Sequence, residues 1–360
     1  MADSTPRRAL SKTHRLTLET SISKAFMAQA LGISFDHDYY FDPFLRHQID
    51  TRCHRYAAEQ LSDLDAFYTE SNLGRKAHFD PNQVLVGGIQ PNLILGMLLG
   101  AEFIPAKQAD ADISPACWAG KAPEHLPRPE TLPDHPLLRL FDGQIRSVQQ
   151  QPPLTAIPPF FWDASGRAAV HGALTTAQKF LGEQVFLDLL AEPDRVRRTM
   201  DWITDANIVL VRHFAELCNI QIQCLHVGEC SSCMVGPAEW ADFVAPTLER
   251  LGRELGPVRL HSCGPSGHLL TPARKIMPLC SLDLGGETPL ARVRELFGHD
   301  FPVSVAPPVK LLAGGSLEAL LAWTRDVLAA NQGGDLVLLC HLEPQYPLHV
   351  LRAWRSALAL

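Results

Sequence analysis

His261 and Cys263 stand one residue apart in the stretch VRLHSCGPSG, residues 258–267 of a 360-residue chain. They follow a short β-branched and aliphatic run and precede a Gly-Pro-Ser-Gly turn, where a strand should end. In extended backbone, residues i and i+2 leave the same face, so this imidazole and thiol can address one object, most simply a metal ion. The pair also has a plainer explanation. Cys is among the most buried residue types, and a His near a strand end often satisfies a backbone partner. A metal site therefore needs further donors.

The elements that would position such donors are legible downstream. AAVHGAL (168–174) leads into TTAQKFLGEQVFLDLL, and IQIQCLHV (220–227) leads into PAEWADFVAPTLERLGREL, opened by Pro237. VRLH leads into LLTPARKIM, LCSLDL (279–284) into ARVRELFG, and FPVSV (301–305) into SLEALLAWTRDVLAAN with Ser316 as N-cap. DLVLLC (335–340) leads into the closing helix LHVLRAWRSALAL. Strands alternating with helices point to a parallel sheet. NQVLVGGI (82–89) supplies a further strand. No glycine-rich phosphate turn of either common type follows a strand, so the pattern predicts an α/β fold of the (β/α)8 TIM-barrel kind rather than an open doubly wound sheet. Residues 1–80 read as an N-terminal helical extension packed on the barrel, and residues 81–360 as the catalytic barrel domain. Within it, 104–165 reads as long connections around the mouth.

Barrel sites collect at the C-terminal ends of strands. Cys340 ends its strand as His261 and Cys263 end theirs, and Glu287 follows LCSLDL in GGETPL. Together His261, Cys263, Cys340 and Glu287 form a nitrogen, sulfur and oxygen donor set suited to four-coordinate zinc. His341, adjacent to Cys340, is expected to point to the opposite side and is left out of the set.

Composition narrows the function classes. With 46% hydrophobic residues the chain can bury a large core. A net charge of −7 gives no footprint for nucleic acid. Arg7, Arg8, Lys12 and Arg15 are followed by no apolar run of signal-peptide type, and LILGMLLGAEFI is too short to span a bilayer. The expectation is a cytoplasmic monomer or homodimer that uses neither membrane nor nucleic acid. Nine scattered cysteines suit reduced thiols and metal or catalytic use better than a disulfide framework.

On these residues the chain resembles the uroporphyrinogen decarboxylase superfamily, and within it the zinc-dependent methylcobamide:thiol methyltransferases of coenzyme M type. LHSCG matches the H-x-C-G zinc motif, and APPVKLLAGGSLEAL and DLVLLCHLEPQYPLHVLRAW match two later segments. GALTTAQKFLGEQVFLDLLAEPDRVRRTMDWIT extends the likeness upstream, so that it covers roughly residues 165–360 and touches 80–160 loosely. The resemblance implies that His261, Cys263 and Cys340 are the protein ligands of Zn2+ and that Glu287 is an exchangeable fourth ligand with a catalytic role. It further implies methyl transfer from a methylated corrinoid to a zinc-activated small thiol such as coenzyme M or homocysteine. No D-x-H-x-x-G corrinoid motif occurs, so the methylcobamide would arrive on a separate corrinoid protein. The chain departs from the superfamily in lacking an arginine-rich N-terminal loop, in carrying Ala-Pro-Pro at 306–308, and in the acidic, aromatic stretch ISFDHDYYFDPFLRH. Without those arginines a porphyrinogen has no evident electrostatic partner. A lyase like uroporphyrinogen decarboxylase, or a zinc-bearing binding protein of the same superfamily, stays as the alternative.

His226 and Glu229, just beyond IQIQCL, are candidate substrate contacts or partners of a ligand, with local hydrogen bonding an equal reading. Cys230 and Cys233 have C-x-x-C spacing but no second pair, and are read as pocket lining or packing. Cys53, Cys117, Cys218, Cys224 and Cys280 are read as packing residues.

Overall fold

The structure is a computed structural model that describes residues 16–68, 80–276 and 279–358. The basic N-terminal residues Arg7, Arg8, Lys12 and Arg15 lie outside the described residues. In chain order the strands are β1 (Leu16–Ile22), β2 (Ala66–Tyr68), β3 (Gln83–Leu85), β4 (Phe103–Ile104), β5 (Asp112–Ile113), β6 (Thr155–Ile157) and β7 (Arg167–His171). They continue as β8 (Cys224–Gly228), β9 (Val258–Ser262), β10 (Leu279–Gly285), β11 (Val303–Ala306) and β12 (Leu336–Leu342). Eight of them form one parallel sheet in the order β2-β1-β12-β11-β10-β9-β8-β7.

Helices return the chain between neighbours, as parallel pairing requires. Three of them, Ala173–Leu181, Gln184–Ala191 and Pro193–Leu217, lead from β7 to β8, and Leu290–Phe297 joins β10 to β11. Leu317–Asn331 precedes β12 and is capped by Ser316, whose side chain accepts from the Ala319 N–H. The strands are short aliphatic runs because both faces of such a sheet are covered. Among the described residues, no helix is long and apolar enough to cross a membrane.

Two expectations are corrected by this topology. The sheet curls like a TIM-type barrel but does not close, because its edge strands β2 and β7 are not bonded to each other. Beside β7 the chain after β6 makes a partial join, with the Ala169 N–H donating to the Phe160 carbonyl at 2.8 Å and an antiparallel bridge between Phe161 and Ala168. The N-terminal segment also does more than extend the barrel with helices, since β1 pairs along its whole length with β12. Its sequence LTLETSI alternates Leu16 and Leu18 with Thr17 and Glu19, the period-two pattern of a strand. Residues 104–165, read as connections, contain the amphipathic helix Pro136–Gln149 and β6.

Register decides which side chains share a face, because paired residues on adjacent strands point the same way. His171 pairs with Gly228, Gly228 with His261, His261 with Asp283, Asp283 with Ser304 and Ser304 with Val337. One residue pair earlier along the strands, His226 opposes Arg259. Four residues beyond Val337 on β12, His341 lies opposite Ser21 of β1. One face therefore carries His171, His226, Arg259, His261, Asp283 and His341. Cys340, one residue out of phase, belongs to the other face. The expected assignment of these two neighbours is thus reversed, because the ladder runs without a slip through Leu342.

Candidate metal and substrate site

The shared face borders a cavity of about 540 Å³ at the C-terminal ends of the strands. Its walls include His171, His226, Cys230, His261, Cys263 and Asp283. Phe160, Phe161 and Trp162 come from the chain that crosses beside β7, so much of the lining is apolar. A largely apolar pocket with a few convergent polar groups is the usual form of a small-molecule site.

Within it, one donor atom each from Cys230, His261 and Cys263 lies within 4.8 Å of the others. His261 ends β9 and Cys263 follows two residues later, as the spacing predicted. Cys230 opens the 3-10 turn Cys230–Met234 after β8. The Glu229 N–H donates to the His261 carbonyl at 2.9 Å, carrying the parallel ladder one residue past β8 and setting Cys230 beside the His261–Cys263 turn. Burial opposes charge on His261, but Asp283, whose Oδ2 lies 3.0 Å from Nδ1, raises the imidazole to about 9. Cys263 is held below the usual thiol range, first by the hydrogen bond from Cys230 and then by His261. Without a metal the site thus pairs a Cys263 thiolate with a His261 imidazolium.

Asp283 is buried, and burial alone would raise its carboxyl. Arg259 at 3.1 Å and His261 instead hold it below the usual range. Arg259 also donates to His226 Nδ1 at 3.0 Å and to Ser304 at 3.3 Å. The network explains how a charged pair sits inside two aliphatic strands: each charge is desolvated but answered. It also turns His261 Nδ1 toward a carboxylate and leaves Nε2 for another partner.

The remaining sequence candidates fall in different places. Cys340 flanks the cavity but is buried on the opposite face, its thiol pushed up to about 12 by burial. Among the described residues it joins no cluster of metal-ligating groups. Glu287 is not brought to the site either. β10 stops at Gly285, the Thr288 N–H closes a turn onto the Gly285 carbonyl, and Glu287 is left about half exposed, facing Lys310 at 3.6 Å. His226 is buried and lines the cavity, its ring centroid 5.6 Å from that of His261. Glu229 points elsewhere. Its carboxylate accepts from the Thr175 and Leu174 N–H groups at the start of helix Ala173–Leu181, and burial raises it to about 7.

Asp283, Arg259 and His171 were not among the sequence candidates, whereas Cys230 was read there as pocket lining or packing and does line the cavity. His171 lines the cavity with its Nδ1 buried and without a hydrogen-bond partner, and burial lowers it to about 4, a neutral ring. Arg259 and Asp283 were legible as charges inside VRL and SLDL, where a buried strand can hold a charge only if another answers it.

No protein-family model and no curated protein matches the sequence. Among solved structures, a methyltransferase from Methanosarcina mazei superposes with a TM-score of 0.63 at 14% identity, over 97% of this chain and 94% of that one. A Listeria monocytogenes structure provisionally assigned as a vitamin-B12 independent methionine synthase gives a TM-score of 0.47 at 9% identity, over 96% of each chain, and carries no argument. The likeness to the Methanosarcina structure shows a shared fold.

Proposed function

We propose that this protein is a zinc-dependent methyltransferase that moves a methyl group from a methylated corrinoid, carried on a partner protein, to a small thiol. The observation that carries the reading is the meeting of two thiols and an imidazole at the rim of a largely apolar cavity. The fit to zinc is chemical: sulfur and nitrogen donors are the set that zinc prefers, and three protein donors leave a position for a substrate. Bound there, zinc would supply Lewis acidity that keeps an incoming thiol deprotonated near neutral pH.

The chain's own residues do the rest. Asp283 fixes the ring of His261, and Arg259 fixes Asp283. Phe160, Phe161 and Trp162 keep the pocket poor in water, so that the acceptor sulfur is less hydrated and more nucleophilic. His171 offers a neutral ring to a polar group of the acceptor. The transfer these residues would serve forms a bond from the acceptor sulfur to the methyl group while the donor's bond from cobalt to that methyl group breaks, its electron pair staying with the donor.

The decarboxylase alternative is less well supported. Among the described residues no arginine lines the cavity, and Lys24 there is paired with Asp110 at 2.8 Å. A polycarboxylate would meet Glu19, Asp110 and Glu343 instead. The proposal is tested by mixing zinc-loaded protein with methylcobalamin and a panel of small thiols without oxygen. Methyl-cobalt absorbance should decay with a thiol present and not with metal-stripped or Cys263→Ser protein. Decay no faster than without protein, with zinc bound, would count against it.

A further inference from the structure

We propose that Cys230 is the third protein ligand of this metal site, so that the cation is held by Cys230, His261 and Cys263 and not by the strand-end Cys340. The inference rests on reading the site as a metal site; it does not depend on the reaction carried out there.

Separation comes first. Tetrahedral zinc with S and N ligands at about 2.3 and 2.0–2.1 Å sets its donors roughly 3.5–3.8 Å apart. The three atoms here already lie within 4.8 Å of one another, so side-chain adjustment closes the set without moving a strand. Cys340 starts from the other face of β12, and bringing it in would require breaking the pairing of Thr20 with Cys340 and Ser21 with His341.

Support for the Cys230 loop comes second. Glu229 is tied to the His261 carbonyl through its N–H, and through its carboxylate to the Thr175 N–H at 2.8 Å and the Thr175 hydroxyl at 2.7 Å. The Ser231 N–H donates to the Thr175 hydroxyl at 3.1 Å, and the Ser231 hydroxyl donates to Gln178. Further along the turn, Cys233 packs on Gly264, where an added Cβ would lie 2.7 Å from the Cys233 sulfur. The ECSSC loop is therefore locked both to helix Ala173–Leu181 and to the HSCG turn, a preorganised position for a ligand.

A competing set, His226, His261 and Asp283, is equally close. It is disfavoured by charge, since Arg259 lies 3.1 Å from Asp283 and donates to His226, and a divalent cation would be placed against a buried guanidinium. Among the described residues no lysine or arginine is bonded to Cys230 or Cys263, and both line the cavity with His261, where an exogenous thiol can take the remaining position.

The test uses cobalt(II) as a probe in the full-length protein. With two protein thiolates, the near-ultraviolet thiolate-to-cobalt band should fall to about half in Cys230→Ser, and competition with a chelator should show metal affinity at least ~10-fold weaker. Cys340→Ser should keep both the band and the affinity. Full band and affinity in Cys230→Ser, or loss in Cys340→Ser instead, would each overturn the assignment. Failure of methyl transfer alone would leave it standing.

Discussion

At the scale of single residues, the chemistry turns on phase along a strand and on neighbours distant in sequence. His261 and Cys263 were readable because i, i+2 spacing fixes a shared side. The face of Cys340 was not readable in the same way: parity within β12 is fixed, but which parity faces the cavity is set by pairing with β1 and β11, which no local pattern reveals. Cys230 carried a signal in its C-x-x-C spacing, yet its partners are His261 and Cys263 and not Cys233, so the motif pointed to the wrong pairing. The Cys230–Cys263–His261 contact has a measurable consequence in metal-free protein. Because the hydrogen bond from Cys230 and the charge of His261 hold Cys263 below the usual thiol range, its thiolate persists to lower pH than an ordinary cysteine's, and only the thiolate is alkylated. Labelling of Cys263 by iodoacetamide should therefore begin to fall at a lower pH than that of an ordinary thiol, which loses about tenfold per unit below its pKa. Cys230→Ala, which removes the largest stabilising contact, should move the fall to higher pH. A tenfold drop per unit already below pH 8 in the unmutated protein would contradict the geometry.

At the scale of elements, strands β7 to β12 follow the sequence closely as aliphatic runs bounded by turns, and most lead into amphipathic helices, but the helix expected over LLTPARKIM after β9 is only the short turn Gly267–Leu269 and the helix Leu270–Ala273. β1 was absorbed into a helical extension because three helices, Lys24–Leu31, His37–Phe41 and Pro43–Gln60, follow it before β2. The site depends on the end of β10 as much as on β9. Gly285 lies against the Cys263 backbone, and an added Cβ would come 2.0 Å from the Cys263 carbonyl oxygen. Backbone atoms cannot step aside as a flexible side chain can, so Gly285→Ala should cost about 1–3 kcal/mol of stability in urea unfolding. It should also displace the HSCG turn and weaken metal binding, measured by chelator competition. Unchanged stability together with unchanged metal affinity would show that β10 does not position Cys263.

At the scale of the whole molecule, the eight-stranded curled sheet sets a rim where donors from β8 and β9 meet over one cavity, and the crossing segment Phe160–Trp162 walls its open side. The fold shared with the Methanosarcina methyltransferase at 14% identity was legible from alternation of elements, while the unclosed edge was not, because closure depends on how short strands such as β2 and β3 pair. The central claim joins this architecture to one reaction, and the product of that reaction is the most direct readout. Zinc-loaded protein should be incubated without oxygen with a corrinoid protein carrying a deuterium-labelled methyl group and with candidate thiols, and the thiols then weighed by mass spectrometry. A labelled methyl thioether is expected from at least one thiol, formed faster than from free methylcobalamin because docking replaces chance encounter with a fixed approach, and abolished in metal-stripped and Cys263→Ser protein. Folded, zinc-bearing protein that labels no thiol with either donor would contradict it.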